Sequence, residues 1–300
     1  MLMIRPRPEI GESQAGYILR LANANHMEGL GGFLSMLKLQ NVNRVLDWKP
    51  WQMKLLMGSK FSYENFHLNC PGFHSRSPFS YKQKEIGLYL KNDHNQRCCP
   101  QCLRQEEYFR CEWDLSLVAV CQAHKAILID TCERCAQEIP RHRKHYMNCD
   151  CGHPLSENRQ WPAAPIAISL QEIFLSNLVG EPVNEAVLAA YPEFGIVENM
   201  KTGELGRSIM TYFFRIIYAR DKPLKGLGQN LSVGSIYEAL LMYAALVRSS
   251  SLMRECVTDG WLQRFDSTGS RRQARKVESE LPGQLQCEKA NVAPLATDPI

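Results

Sequence analysis

The sequence predicts a mainly α-helical protein with a small α/β domain in its middle. Three observations lead there. Apolar residues recur at helical spacing in the N-terminal part and again over 165–265. Between those parts the apolar runs shorten to strand length, as in "LSLVAV" and "AILID". That same middle segment holds nine of the twelve cysteines, seven of them in closely spaced Cys/Cys or Cys/His pairs. The predicted organisation is an N-terminal helical domain over 1–95, tandem metal-ligand knuckles over 96–160, a C-terminal helical bundle over 165–265, and a poorly ordered tail over 266–300.

Taken in order, "ESQAGYILRLANAN" places Tyr17, Ile18, Leu21 and Ala22 on one helical face, with Ser13 available as N-cap. "GLGGFLSMLKL" follows a glycine-containing turn and repeats the spacing through Phe33, Leu34 and Leu37. Two short helices joined by a tight turn favour a small helical bundle and are also compatible with a helix-turn-helix. In the C-terminal part, Ser169 and Glu172 read as a capping box before Ile173, Phe174 and Leu178. Leu205, Ile209, Tyr212, Phe213, Ile216 and Ile217 form one broad stripe, and Ser235 with Glu238 reads as a second capping box. Pro182, Pro192 and Pro223 punctuate the links, and these stripes predict core packing.

The middle segment carries the chemistry. Its spacing is Cys99-x2-Cys102, Cys121-x2-His124, Cys132-x2-Cys135 and Cys149-x-Cys151. Two donors across a tight turn can face one ion, and zinc takes four thiolate or imidazole ligands tetrahedrally. Eight ligands are the count for two closed sites, which predicts two structural Zn2+ ions in a zinc-ribbon-like α/β domain. Sequential pairing gives Cys99, Cys102, Cys121 and His124 one ion, and Cys132, Cys135, Cys149 and Cys151 the other. It closes shorter loops than the cross-braced alternative and is favoured for that reason. Cys98 could substitute for Cys99, and His142, His145 or His153 could substitute in the second site. Cys70, Cys111, Cys256 and Cys287 lack partners at ligand spacing and read as ordinary thiols.

Other classes are disfavoured. With its ligands supplied by the knuckles, neither ion keeps an open position for catalysis; the sequence has no H-E-x-x-H, and no H-x-E adjoins the first knuckle, so no enzyme is predicted. The N-terminus lacks a secretory h-region and the apolar runs are too short to span a bilayer, which makes a cytoplasmic protein the expectation. In a reducing compartment, clustered cysteines point to metal rather than disulfides. A net charge of +4 permits nucleic-acid contact without requiring it. The basic loop "RHRKHY" supplies Arg141, Arg143 and Lys144 as candidate contacts to nucleic acid or a partner.

Two features together resemble the TniQ family, which includes the longer TnsD target-selection proteins. One is the opening "RPRPEIGESQAGYILRLANAN", similar to Arg-Pro-x-Pro, Glu-Ser and a helix ending Arg-Leu-Ala-x-x-Asn. The other is the C-P-x-C, C-x2-H, C-x2-C, C-x-C series downstream. The chain departs from the pattern at His26, where members often carry Gly, and "ESQAGY" is a loose version of the usual start. The resemblance implies a non-enzymatic adaptor in transposon target selection, connecting a recognition element to the AAA+ regulator TnsC. In CRISPR-associated transposons that element is an RNA-guided Cascade complex carrying a TniQ homodimer; TnsD-like members read the attachment-site DNA themselves. The chain is short for a TnsD-like protein, so the Cascade-linked type is expected.

Overall fold

The computed structural model describes residues 4–9, 11–36, 92, 95–179, 181–198, 200, 205, 209 and 231–249. They form a mixed, helix-rich fold with one two-stranded sheet. None of the described helices is long and apolar enough to cross a membrane.

Helix α1 (Gln14–Ala24) starts where Ser13 Oγ accepts a hydrogen bond from the Gly16 amide at 3.2 Å. Its predicted face of Tyr17, Ile18, Leu21 and Ala22 is fully buried. The helix ends in a Schellman turn: the Met27 amide donates to the Ala22 carbonyl and the His26 amide to the Asn23 carbonyl, both at 3.0 Å. Such a turn needs a left-handed residue, and His26 fills that place at φ 58°. Helix α2 (Gly29–Met36) follows and buries Leu30, Phe33 and Leu34 against α1.

The residues before α1 are clipped to it by its own side chains. Tyr17 Oη donates to the Pro6 carbonyl at 3.0 Å and Arg20 Nη2 to the Arg7 carbonyl at 2.8 Å. Asn25 holds Ile4 twice, accepting from its amide at 3.0 Å and donating to its carbonyl at 2.7 Å. Arg20 also pairs with the buried Glu12 at 2.6 Å. Burial pushes the Glu12 carboxyl up, and the Arg20 guanidinium pulls it part of the way back.

The middle segment contains helix α3 (Pro100–Gln105), strands β1 (Val120–Cys121) and β2 (Ala126–Ile127), and 3-10 turns at Cys111–Asp114 and Leu155–Glu157. The strands pair antiparallel, Val120 with Ile127 and Cys121 with Ala126. Regular pairing is shorter than the apolar runs suggest, and single bridges continue it, such as Cys98 with Ile129 and Ala126 with Pro162. Gln171 satisfies the backbone beside β1: its Oε1 accepts from the Ala119 and Val120 amides at 2.8 and 2.9 Å, and its Nε2 donates to the Val120 carbonyl at 2.6 Å.

Gln171 belongs to α4 (Pro165–Val179), the first C-terminal helix, followed by α5 (Glu185–Ala190), a 3-10 turn at Pro192–Phe194, α6 (Gly195–Glu198) and α7 (Val233–Arg248). Both expected capping boxes are displaced. Helix α4 begins at Pro165, whose missing N–H costs nothing at a first helical position, so Ser169 and Glu172 lie inside the helix. The cap of α7 is Ser232, whose Oγ accepts from the Ser235 amide at 3.1 Å, one turn before the expected start. The buried faces are as expected: Ile173, Phe174 and Leu178 in α4, and Leu205 and Ile209 beyond α6, all lie in the core. Leu37, Tyr212, Phe213, Ile216, Ile217, Pro223 and the 266–300 tail lie outside the described residues.

One apolar core runs from α1 and α2 through Leu117 and Val118 to α4 and α7. Two buried polar groups join the middle segment to α7. Asp130 Oδ2 accepts from the Val233 amide at 2.6 Å, satisfying a helix N-terminal donor. Arg97, fully buried, donates to the carbonyls of Leu115, Ser116, Val118 and Leu231 at 2.8–3.0 Å, and burial pulls its guanidinium down to about 10.

Like Lys125 and Ala136, His26 is a non-Gly residue held left-handed, which is a local cost. Replacing it with Gly in a left-handed Schellman position should stabilise the protein by about 0.5–1 kcal/mol, read as a raised urea midpoint at unchanged m-value.

Candidate metal centres

The four knuckles fold locally for different reasons. The first opens on α3, with Pro100 at the first helical position and Cys99 as N-cap, its sulfur accepting from the Cys102 amide at 3.4 Å. The second is the turn between β1 and β2, which sets Cys121 and His124 at its two ends. The third and fourth lie inside loops closed by the bridges Thr131–Glu138 and Asn148–Pro154. In the last three the residue after the second donor is left-handed: Lys125 at φ 50°, Ala136 at 55° and Gly152 at 84°. The chain reverses there so that both donors point the same way.

The knuckles come together in sequential pairs. Cys99, Cys102, Cys121 and His124 form one tetrad, and Cys132, Cys135, Cys149 and Cys151 the other, with donor atoms within 4.8 Å of one another in each. In the second tetrad, Cys132 and Cys151 sulfurs are 3.7 Å apart, as are those of Cys135 and Cys149. In the first, Cys102 and Cys121 sulfurs are 3.5 Å apart, and His124 Nδ1 lies 3.5, 3.2 and 3.6 Å from Cys99, Cys102 and Cys121. Zinc bonded to sulfur at about 2.3 Å and to nitrogen at about 2.0–2.1 Å requires tetrahedral edges of about 3.8 Å and 3.6 Å. Both donor sets fit such an ion in distance and in chemistry.

Neighbouring groups support the first tetrad. His124 turns Nδ1 inward while Nε2 meets Gln105 Oε1 at 3.1 Å, the kind of outer contact that fixes a ligand's ring and tautomer. Gln160 Nε2 donates to Cys99 Sγ at 3.1 Å, and the His124 amide lies 3.5 Å from Cys121 Sγ. Donation from the Cys102 and Cys121 thiols holds the Cys99 thiol down, while hydrogen bonding with Cys121 and Cys99 pushes the Cys102 thiol up. In the second tetrad the His153 amide, first among several donors, holds the Cys151 thiol down to about 7.

The candidate substitutes sit elsewhere. Cys98 is fully buried, its backbone paired with Ile129, and burial pushes its thiol well above the ordinary range. His142 and His145 are exposed, and His153 approaches the second tetrad through its backbone. Cys111 is buried at the start of its 3-10 turn, and Cys70, Cys256 and Cys287 lie outside the described residues.

The basic loop divides between interior and surface. Of Arg141, Arg143 and Lys144, only Lys144 has an exposed side chain. Arg141 is buried, with Nη1 paired to Asp114 at 2.6 Å and Nη2 donating to the Asn92 carbonyl at 2.6 Å. Asp114 also accepts from Ser13 Oγ at 2.5 Å, so one carboxylate ties the α1 cap to the basic loop. Arg143 is buried over the Phe109 ring at 4.6 Å and donates to the Pro140 and Tyr146 carbonyls; burial pulls it down to about 10. Both arginines are used up inside the molecule, because the loop docks on the α1–α2 turn. There the Lys144 carbonyl accepts from the Gly29 amide and from Asn23 Nδ2, each at 3.0 Å, and the Tyr146 amide donates to Asn23 Oδ1 at 2.5 Å.

Residues 3–128 match the TniQ family model. That stretch of the chain is a TniQ domain. The TniQ match takes in α1, α2 and the whole first tetrad, and ends before the second. A search of curated proteins gave no match. The TniQ domain points to transposition target selection, and the two donor tetrads point to zinc binding.

If Arg141 is a buried structural cation, removing its carboxylate is costly. Asp114→Ala should destabilise the protein by about 3–5 kcal/mol in urea unfolding. Lys144→Ala, at an exposed side chain, should stay within about 0.5 kcal/mol.

Proposed function

We propose that this chain is a non-enzymatic, zinc-binding adaptor in target selection for DNA transposition, linking an RNA-guided Cascade complex to the AAA+ regulator TnsC. The observation that carries this reading is the TniQ domain over residues 3–128, which contains the α1–α2 pair and one complete donor tetrad. Cys99, Cys102, Cys121 and His124 would hold one Zn2+, and Cys132, Cys135, Cys149 and Cys151 the other. When bound, such ions supply folding free energy rather than reaction chemistry. The chain's own residues do the rest: Asp114, Arg141 and Asn23 hold the metal-bearing segment on α1 and α2, while Gln171 and Asp130 hold it on α4 and α7.

In this reading the protein works in the cytoplasm as a homodimer, with the parts 1–95, 96–160 and 165–265 as its units, and offers rigid faces to Cas subunits and TnsC. A TnsD-like role, direct reading of attachment-site DNA, is the second reading. Exposed His142, Lys144 and His145, on the loop seated beside the α1–α2 turn, favour it. Arg141 and Arg143 would serve either role only indirectly, by fixing that loop.

Binding of the purified zinc-loaded protein to random and candidate target duplexes across a salt series separates the two. The adaptor reading expects weak, sequence-indifferent binding, and co-purification with Cascade subunits and TnsC when these are co-expressed. Tight, site-selective, salt-steep binding without Cascade would establish the direct reader instead.

A further inference from the structure

The two tetrads are built differently. In the first, all three cysteines are buried, His124 is half-buried, and the side chains of Gln105 and Gln160 contact the ligands. In the second, Cys151 is exposed and Cys135 half-buried, and the groups that donate to the sulfurs from outside the tetrad are backbone amides, including that of His153. Composition differs too. Three thiolates, a neutral imidazole and a divalent ion sum to −1; four thiolates and the same ion sum to −2. The second tetrad is therefore richer in electrons, more open to solvent and less braced.

Its place in the chain gives that difference a consequence. Between Cys135 and Cys149 the chain runs out to the α1–α2 turn and returns. At the far end the Lys144 carbonyl accepts from Gly29 and Asn23, the Tyr146 amide donates to Asn23, and Tyr146 Oη reaches Glu12 at 3.4 Å. At the near end the loop is closed by the tetrad together with the backbone bonds of Ile139 to Gln96 and Asp130. Opening the tetrad lengthens the loop and raises the entropic cost of keeping its tip docked.

We propose that the second tetrad is an exchangeable, oxidation-sensitive metal site that clasps the 141–146 loop onto α1 and α2, whereas the first is a permanent one. The inference rests on the zinc reading above. A peroxide is the oxidant. The exposed Cys151 thiolate attacks one peroxide oxygen, giving a sulfenic acid and hydroxide. The Cys132 thiolate, with its sulfur 3.7 Å away, then attacks the sulfenic sulfur and expels a second hydroxide as the disulfide forms. Two solvent protons convert the hydroxides to water. One peroxide is reduced, two thiolates are oxidised, and Cys135 and Cys149 alone cannot retain the ion.

The test uses the full zinc-loaded chain, titrated with hydrogen peroxide beside a metallochromic chelator. Mass spectrometry maps the disulfides, and amide exchange is followed at Gly29 and Tyr146. The expected result is one zinc per chain released at least ten-fold faster than the other, a Cys132–Cys151 disulfide, and faster exchange at Gly29 and Tyr146 while Cys99, Cys102 and Cys121 stay reduced. Cys151→His, which keeps four donors, should retain two zincs and slow the fast phase at least ten-fold. Simultaneous loss of both ions, a first disulfide within the first tetrad, or unchanged exchange at Gly29 and Tyr146 after the first release would overturn the proposal. A chain that purifies without zinc would instead overturn the metal reading beneath it, and the starting stoichiometry distinguishes that failure.

Discussion

Eight soft donors drawn into two tetrads, each with its donor atoms within 4.8 Å, set the conditions for the rest of this structure. Three or four thiolates at that spacing repel one another unless a cation lies between them, and as neutral thiols they offer only weak hydrogen bonds. The surrounding chain is shaped to accept the ionised form. Amides of Cys102 and His124 point at sulfur, Gln160 adds a side-chain donor, and left-handed residues turn three of the knuckles inward. Regular pairing in the middle segment amounts to two residues per strand. So little sheet cannot hold its own shape, and the shape falls to the tetrads and to the helices packed around them.

Those helices are attached through buried polar groups as well as the apolar core. Gln171 completes hydrogen bonding beside β1, Asp130 satisfies the start of α7, and Asp114 joins the cap of α1 to Arg141. Each of these groups is buried, so each is specific in its geometry and costly to leave unpaired. The opening motif shared with the TniQ family belongs to the same scheme. Glu12, Arg20 and Asn25 bind the preceding residues to α1, and the Schellman turn after Asn25 aims α2. In this chain the motif's recognisable residues have a structural role, holding residues 4–12 on α1 and setting the turn into α2.

Much of this was legible in the sequence because it is periodic or local. Helical spacing identified the buried faces of α1, α2 and α4, and donor spacing identified both tetrads and their sequential grouping. Helix starts were less legible: Ser169 and Ser235 imitate caps, while the true starts are Pro165 and the turn capped by Ser232. The groups around the donors left no local trace. Gln160 reaches Cys99 across 61 positions, and nothing in either neighbourhood marks the pair. Arg141 and Arg143 read as surface because a run of basic residues in a loop is usually solvated. Their partners, Asp114, Asn92, Phe109 and the Tyr146 carbonyl, are brought to them only by tertiary folding.

The claim beneath all of this is that each tetrad surrounds its own zinc ion. X-ray absorption at the zinc edge of the purified chain tests it most directly, because the method counts ligands by element. Seven cysteines and one histidine shared between two ions predict an average shell of about 3.5 sulfurs and 0.5 nitrogen per zinc, with sulfur at about 2.3 Å. A shell dominated by oxygen or nitrogen, or an average far below three sulfurs per zinc, would contradict the account.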